Sequence, residues 1–548
     1  MNCISKKNIV LFLIIIATIS LGFKLYTVDF TVIPNEDTFE WVLIALAHNN
    51  GDFTEHPRKT LGWTIFVSPF FHLIDSNNFL DYVNITRALG LAISIITIIP
   101  MYLLSRKFFD DKYSLCATAL FAFEPHLNQL SWQGLTEQLY ILVIILSMYF
   151  ILNRNSNYSY LSFLAIGLLW WVRWQGIIML LVVSILFFRN FKKTPKLFVK
   201  YSICLSISLI VVSPMLLDRY EQFGDPFYSE YSERIFAGSY EKIAGENTAR
   251  LNPTMMDYIE NEGLGSLLEN YILKGFFNTL MVLSKISLPY LFILIPFGIL
   301  FSFRAFDQDR NYIRANWIFI LLSIASMLIV IAVIPERRFL YFLLPFLIIF
   351  SVIPIQRVVE YGLSTFSFTK KQKNIFLIIV IFIVIILSGC FTVFGFGKPD
   401  VSFENEKKDF AKFVINNIDG KVLREFGPAT DYVSYQIITN TPEQFKQYKI
   451  GSEWAEYQEL DKNEKGIESI SIYGKSLAEL VKNGKEFELE YIIAKKEKNF
   501  YPFLSDLYSN EENYPYMVKI FDSNEFAYKK LKVKVFEIDY EKFNKNNE

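Results

Sequence analysis

Charge is scarce in this chain. Asp, Glu, Lys and Arg make up 20% of 548 residues, and the formal net charge is −1. With no basic surplus, little is available to neutralise a phosphate backbone, which argues against nucleic-acid binding. Cysteine is scarce too: Cys3, Cys116, Cys204 and Cys390. All four lie in or beside apolar runs and none has metal-ligand spacing. They read as small buried hydrophobes, not as a disulfide framework. The four histidines, His48, His56, His72 and His126, show no HxxxH-type spacing, so the ordinary reading of each is solvated or core. No internal repeat and no low-complexity linker is visible. The centres of the long apolar runs carry almost no charge, which argues against a pump, channel or flippase.

Apolar residues are abundant instead. They make up 52% of the chain, Phe alone counts 53, and the mean hydropathy is +0.28. Runs of this length and number mark a polytopic membrane protein, mainly α-helical. Windows of roughly 17–25 apolar residues predict about eleven transmembrane helices, over 8–28, 84–104, 113–132, 135–152, 160–175, 176–188, 200–218, 279–303, 315–334, 339–356 and 374–395. The first resembles a signal peptide, but its apolar core is too long and no small-residue cleavage site follows, so it reads as an uncleaved anchor. Lys and Arg recur in alternate short loops, from Lys6 and Lys7 to Lys370, Lys371 and Lys373. That bias predicts a cytoplasmic N-terminus and an odd number of spans. Long outer loops are then expected over 30–83 and 219–278, with everything after Lys398 outside. The division predicted is a membrane domain over 1–397 and a soluble extracytoplasmic α/β or α+β domain over 398–548. In the latter, "ENEKKDFAKFVINNID" has helical periodicity, while "FELEYIIAKK" and "KLKVKVFEIDY" alternate or cluster like strands.

The polar residues that do sit near spans gather on one side. The expected outer ends carry Glu36, Asp37, Glu40, Glu124, Glu137, Arg173, Glu336, Arg337 and Arg338. Each has an ordinary explanation. In "IPNEDTFEW", Asp37 and Glu40 fit a capping-box-like helix start. Glu137 opens another helix where an acid favours the dipole. Arg337 and Arg338 sit where basic side chains snorkel. Their collection on one face points to chemistry at the outer membrane interface.

The order of these features resembles the GT-C superfamily of membrane glycosyltransferases. The closer likeness is to glycosyltransferase family 39, the protein O-mannosyltransferases and aminoarabinose transferases. The residues that carry it are "NEDTFEWVLIALAHNNGDF" and "EHPRKTLGWTIFVSPFF", the Thr136-Glu137 pair, Arg173 to Gly176 in "VRWQG", "FGDPFY" at 223–228 and "ERRFLYFLLP" at 336–345. The likeness covers roughly residues 1–395. Two departures stand out. The family's Asp-Glu pair is Glu36-Asp37 here, and no second Asp-x-Asp motif is present.

The resemblance implies transfer of a sugar from a polyprenyl-phosphate donor to a protein, lipid or glycan acceptor, in the cell membrane, at its extracytoplasmic face. It implies Asp37 as the catalytic base, with Glu36 as the alternative. Glu137 would orient the acceptor. Arg338, Arg337 and Arg173 would meet the leaving phosphate, Arg58 and Lys59 of the first loop would join them, and His56 would bind substrate. No metal motif is evident, and a divalent cation is left open. The alternatives are a lipid-linked oligosaccharide transferase or ligase, and a flippase or transporter without transferase activity.

Overall fold

A computed structural model describes residues 5–230, 234–248, 253–304, 310–396, 400–423, 429–439, 442–450, 466–496, 499–526 and 528–547. Helices dominate throughout, and strands occur only from residue 420 onward among the described residues. Among the described residues, six helices are long and apolar enough to cross a membrane: Lys6–Thr27, Phe79–Ser105, Leu197–Phe223, Arg310–Val333, Arg337–Thr365 and Lys370–Gly395. A seventh candidate is a broken pair, Met255–Ile286 and Leu291–Ser302, bent by 116°.

The expected count of about eleven is therefore too high by length. Every run in that count is helical, but the helices Glu137–Ile151, Tyr158–Val172 and Gly176–Phe191 are shorter than a full span. The run 113–132 is split into Asp111–Ala122 and Pro125–Ser131. The break falls at Glu124, whose carboxylate accepts from the Leu127 N–H at 2.6 Å. Windowed hydropathy reads across such polar turns, whereas the backbone caps and restarts at them. Cys116 and Cys204 are buried free thiols as expected, but Cys390 is exposed on its apolar helix. Cys3 lies outside the described residues.

Two helices lead the chain into the site. The first, α1 (Lys6–Thr27), is capped by Ser5, whose hydroxyl accepts from the Asn8 N–H at 3.2 Å. The second, α2 (Glu36–Asn49), leaves the extended segment after it. Its cap is Asn35, which accepts from the Thr38 N–H at 3.2 Å. Asp37 was expected to fill that role. It sits inside the first turn instead, so its carboxylate is released from capping.

At 14 residues, α2 is shorter than a full membrane span. Phe39 and the run Val42–Ala47 are buried against Trp63, Phe71, Phe79 and Val83 of the first loop and the next span. Each such large apolar side chain contributes roughly 1.5–3 kcal/mol on burial. The loop that follows α2 is pressed onto the helix Tyr158–Val172. A Cβ on Gly62 would lie 2.6 Å from the Trp171 carbonyl carbon, so only glycine permits this approach.

The C-terminal region carries the helix Val401–Asn417 and a five-stranded mixed sheet. Its strands are β1 (Gly420–Leu423), β2 (Ile467–Ile470), β3 (Leu489–Lys495), β4 (Met517–Asp522) and β5 (Val533–Ile538), in the order β2-β1-β3-β5-β4. β1 pairs in parallel with β2 and β3, while β5 runs antiparallel to β3 and β4. This helix, β3 and β5 fall where the sequence periodicity places them. The same region reaches back over α2. Tyr435 packs near Phe39 with ring centroids 6.1 Å apart, and Phe445 meets Phe79 at 5.3 Å. The Ile450 N–H donates to Asp52 at 2.8 Å, and Lys446 pairs with Asp75 at 2.8 Å.

Candidate active site

The start of α2 is stitched to a turn between two short helices. The Thr38 hydroxyl donates to the Gln133 carbonyl at 2.7 Å. The Trp63 indole N–H donates to the Gly134 carbonyl at 3.1 Å. Gly134 has φ +76°, so a β-carbon would be strained there. Opposite stands the 3-10 turn Arg337–Leu343, anchored by buried Leu340, Phe342 and Leu343. These two walls bring Asp37 to Arg338 across 301 positions of sequence.

Asp37 Oδ2 accepts from the Arg338 guanidinium, and Oδ1 lies 3.7 Å from Lys59 Nζ. Arg338 also donates through Nε to Glu336. Lys59 Nζ forms an ion pair with Glu40 Oε2, and His56 Nε2 lies 3.1 Å from Glu40 Oε1. The backbone N–H groups of Arg58 and Lys59 both point at His56 Nδ1, at 3.1 and 3.2 Å. Nδ1 is therefore the acceptor, and the ring proton sits on Nε2 facing Glu40. Lys59 also stacks over Trp41, 4.6 Å from the ring centroid.

Burial pushes the Asp37 carboxyl up, but the Lys59 and Arg338 charges outweigh it and hold its pKa below the ordinary value. For Glu40 burial again acts upward, and Lys59 with His56 drives it well below. Burial alone would raise the proton affinity of such a carboxylate; two adjacent cations reverse that sign. Both carboxylates are depressed, so the stability they contribute is complete above the ordinary carboxylate range. It is lost as pH falls through their folded-state values. Replacing Lys59 by Met removes one of the two cations that hold the Asp37 carboxyl down. The acid limb of kcat/KM is then expected to move upward in pH, toward the ordinary carboxylate value of about 4. A pH–rate profile of wild type and variant checks this.

Beside these groups lies a cavity of about 340 Å3 lined by Asn35, Asp37, His126, Gln129, Leu130, Gln133, Leu135, Glu336, Arg337, Arg338 and Tyr341. Of the residues singled out from sequence, Asp37, Arg337 and Arg338 line it. Lys59 and His56 stand behind Asp37. Glu137 and Arg173 pair with each other at 2.7 Å, nearly buried, and do not line the cavity. Arg58 turns to Glu230 at 3.1 Å. The side chain of Glu36 lies outside the described residues. Among the described residues no three of His, Cys, Asp and Glu are placed to hold a metal ion, and the carboxylates of Asp37, Glu40 and Glu336 each face basic side chains.

Several site residues were not legible as such. Asn35, Gln129, Gln133 and Tyr341 are common polar or aromatic types with no spacing signal. The pair Glu55 and Arg219 was missed as well. Arg219 is fully buried and lies 3.1 Å from Glu55 Oε2. Its guanidinium donates to the carbonyls of His56 and Tyr228 at 2.8 Å each and of Lys59 at 3.1 Å. It fixes the loop that carries His56 and Lys59. An arginine four residues before the end of an apolar helix reads as a snorkelling residue, so its role is visible only in three dimensions.

A search of family models matches residues 69–217 to dolichyl-phosphate-mannose-protein mannosyltransferase. No curated protein sequence matches the chain. Among solved structures, the apo oligosaccharyltransferase of Archaeoglobus fulgidus superposes with a TM-score of 0.56 at 13% identity. The overlap covers 90% of this chain and 70% of that one. The chain has the GT-C glycosyltransferase fold. A second structure of the archaeal protein, AglB with an inhibitory peptide and a dolichol-phosphate, gives a TM-score of 0.53 at 13% identity, over 89% of this chain and 69% of that one. ArnT from Cupriavidus metallidurans, bound to undecaprenyl phosphate, covers 97% of this chain and 98% of its own at 10% identity, with a TM-score of 0.49. The matched family segment begins inside the loop that follows α2 and ends just before Asp218 and Arg219.

Proposed function

We propose that the chain transfers a single sugar from a polyprenyl-phosphate donor to an acceptor hydroxyl or amide at the outer membrane face. The observation that carries this reading is Asp37, held between Lys59 and Arg338 on the wall of a cavity at the end of the apolar spans. The mannosyltransferase family match and the dolichol-phosphate bound to the archaeal neighbour support it. A cavity of about 340 Å3 lies near the bottom of the usual ligand-pocket range of about 300–1,000 Å3. That size suits one sugar better than an oligosaccharide.

The chemistry follows from the side chains. The glycosidic bond from C1 to the phosphate oxygen breaks, and its electron pair leaves on the lipid phosphate. Arg337 and Arg338 meet the growing charge. The acceptor oxygen or nitrogen forms a new bond to C1 from the opposite face, and its proton passes to Asp37. The negative charge growing on the phosphate beside Arg338 offsets that cation's hold on the proton affinity of Asp37, while Arg338 keeps its carboxylate partners. Burial then raises that affinity at the step where a base is needed. Lys59 keeps Glu40 and Asp37 in place throughout.

The test uses purified full-length protein, a radiolabelled polyprenyl-phosphate sugar and native membranes as acceptor source. Protein-dependent release of polyprenyl phosphate, with label moving to the acceptor fraction, is the expected result. Intact donor under all conditions would overturn the reading.

A further inference from the structure

The cavity has two chemically different sides. One side is charged, but most of that charge is already engaged. Asp37 and Glu336 are both held by Arg338, and Asp37 also faces Lys59. Among the described residues, Arg337 makes no ion pair, so it is the lining cation left for an anion. The other side is neutral and polar. It holds Gln129 and Gln133, whose side-chain amides make no hydrogen bond among the described residues, and His126. His126 is 1% exposed. Its ring nitrogens have no hydrogen-bond partner of ordinary geometry, and the ring packs among Tyr341, Phe391 and Phe396 at 5.3–6.0 Å between centroids.

We infer that this neutral side binds the hydroxyl groups of an uncharged sugar ring, and that the cavity rejects glycosyl groups bearing an amine or a carboxylate. The inference rests on the lipid-phosphate donor reading above. A carboxamide offers two donors and an acceptor, which match neighbouring hydroxyls of a sugar. A buried imidazole without a partner is costly, and a ligand hydroxyl relieves that cost. An ammonium on the sugar would need a carboxylate, and both lining carboxylates are committed to Arg338. A uronate would need a cation, and Arg337 is committed to the donor phosphate. Either charge would be desolvated without a counterion, which costs more than a lost hydrogen bond.

The experiment measures binding to full-length detergent-purified protein of four probes: a short-chain polyprenyl phosphate, and its neutral hexoside, aminopentoside and hexuronoside. The hexoside is expected to bind about tenfold or more tighter than either charged glycoside, the scale on which unpaired polar groups discriminate. In Gln129→Ala/Gln133→Ala the hexoside loses its advantage over bare polyprenyl phosphate, while the bare lipid binds within about twofold of wild type. In Gln133→Glu the order turns toward the aminopentoside. Equal or tighter binding of the aminopentoside or hexuronoside by wild type would overturn the inference and leave the lipid-phosphate reading standing. Failure of all four probes, bare polyprenyl phosphate included, would remove both.

Discussion

Asp37→Asn is expected to lower kcat for sugar transfer by about 10²–10⁴-fold, the usual contribution of a positioned general base. Donor binding should survive. The amide keeps the size of the carboxylate and leaves Arg338 and Lys59 with fewer negative partners, so both are freer to hold a phosphate. The signature is therefore a fall in kcat with an unchanged or lowered donor KM, read from initial rates with labelled donor. Glu40→Gln separates base from scaffold. Glu40 touches Lys59 and His56 but does not line the cavity. Its loss should act on Asp37 through a displaced Lys59, with a smaller fall in kcat and a shifted pH profile. If Asp37→Asn retains wild-type kcat while Glu40→Gln abolishes transfer, the base has been misassigned.

The largest effect on stability is expected from Arg219→Met. The substitution removes the counterion of Glu55 and unpairs three backbone carbonyls in one step. Breaking a buried ion pair on one side costs about 3–5 kcal/mol. Burial already pushes the Glu55 carboxyl up to about 7 against the pull of Arg219. A folded-state value above the ordinary one means the folded protein holds this proton more tightly. The stability it contributes is complete below the ordinary value of 4.5 and is lost as pH rises through about 7. Without Arg219 that loss deepens, so the variant should melt much earlier than wild type at pH 8 and less so at pH 5. Adding Glu55→Gln should recover part of the loss, because the uncompensated charge is gone while the carbonyls stay unpaired. Thermal melts in detergent at the two pH values check each step.

Much of the architecture is legible in sequence because membranes impose length and apolarity together. The long spans, the helix Val401–Asn417 and strands β3 and β5 follow from periodicity alone. The span count does not, because Tyr158–Val172 and its neighbours are as apolar as full spans but shorter. Site residues divide in the same way. Asp37 and Arg338 are legible since charges beside apolar runs are conspicuous. Their contact is not, being a product of how the turn at Gly134 and the turn at Arg337 face each other. The sign of the Asp37 shift is illegible for the same reason: burial can be guessed from sequence, but the positions of Lys59 and Arg338 cannot. Asn35 took the capping role because it precedes the first turn, leaving Asp37 free by two positions.

The clasp of the C-terminal region on α2 has a thermodynamic consequence. Tyr435, Phe445 and Ile450 touch α2 or its immediate supports, and Asp37 opens that same helix. Any ligand whose binding moves this clasp is coupled to the position of Asp37 between its cations, hence to its proton affinity. Coupling of this kind is reciprocal. Protonation of one carboxylate at the membrane end must then alter, by the same factor, the grip of the C-terminal region on whatever it binds.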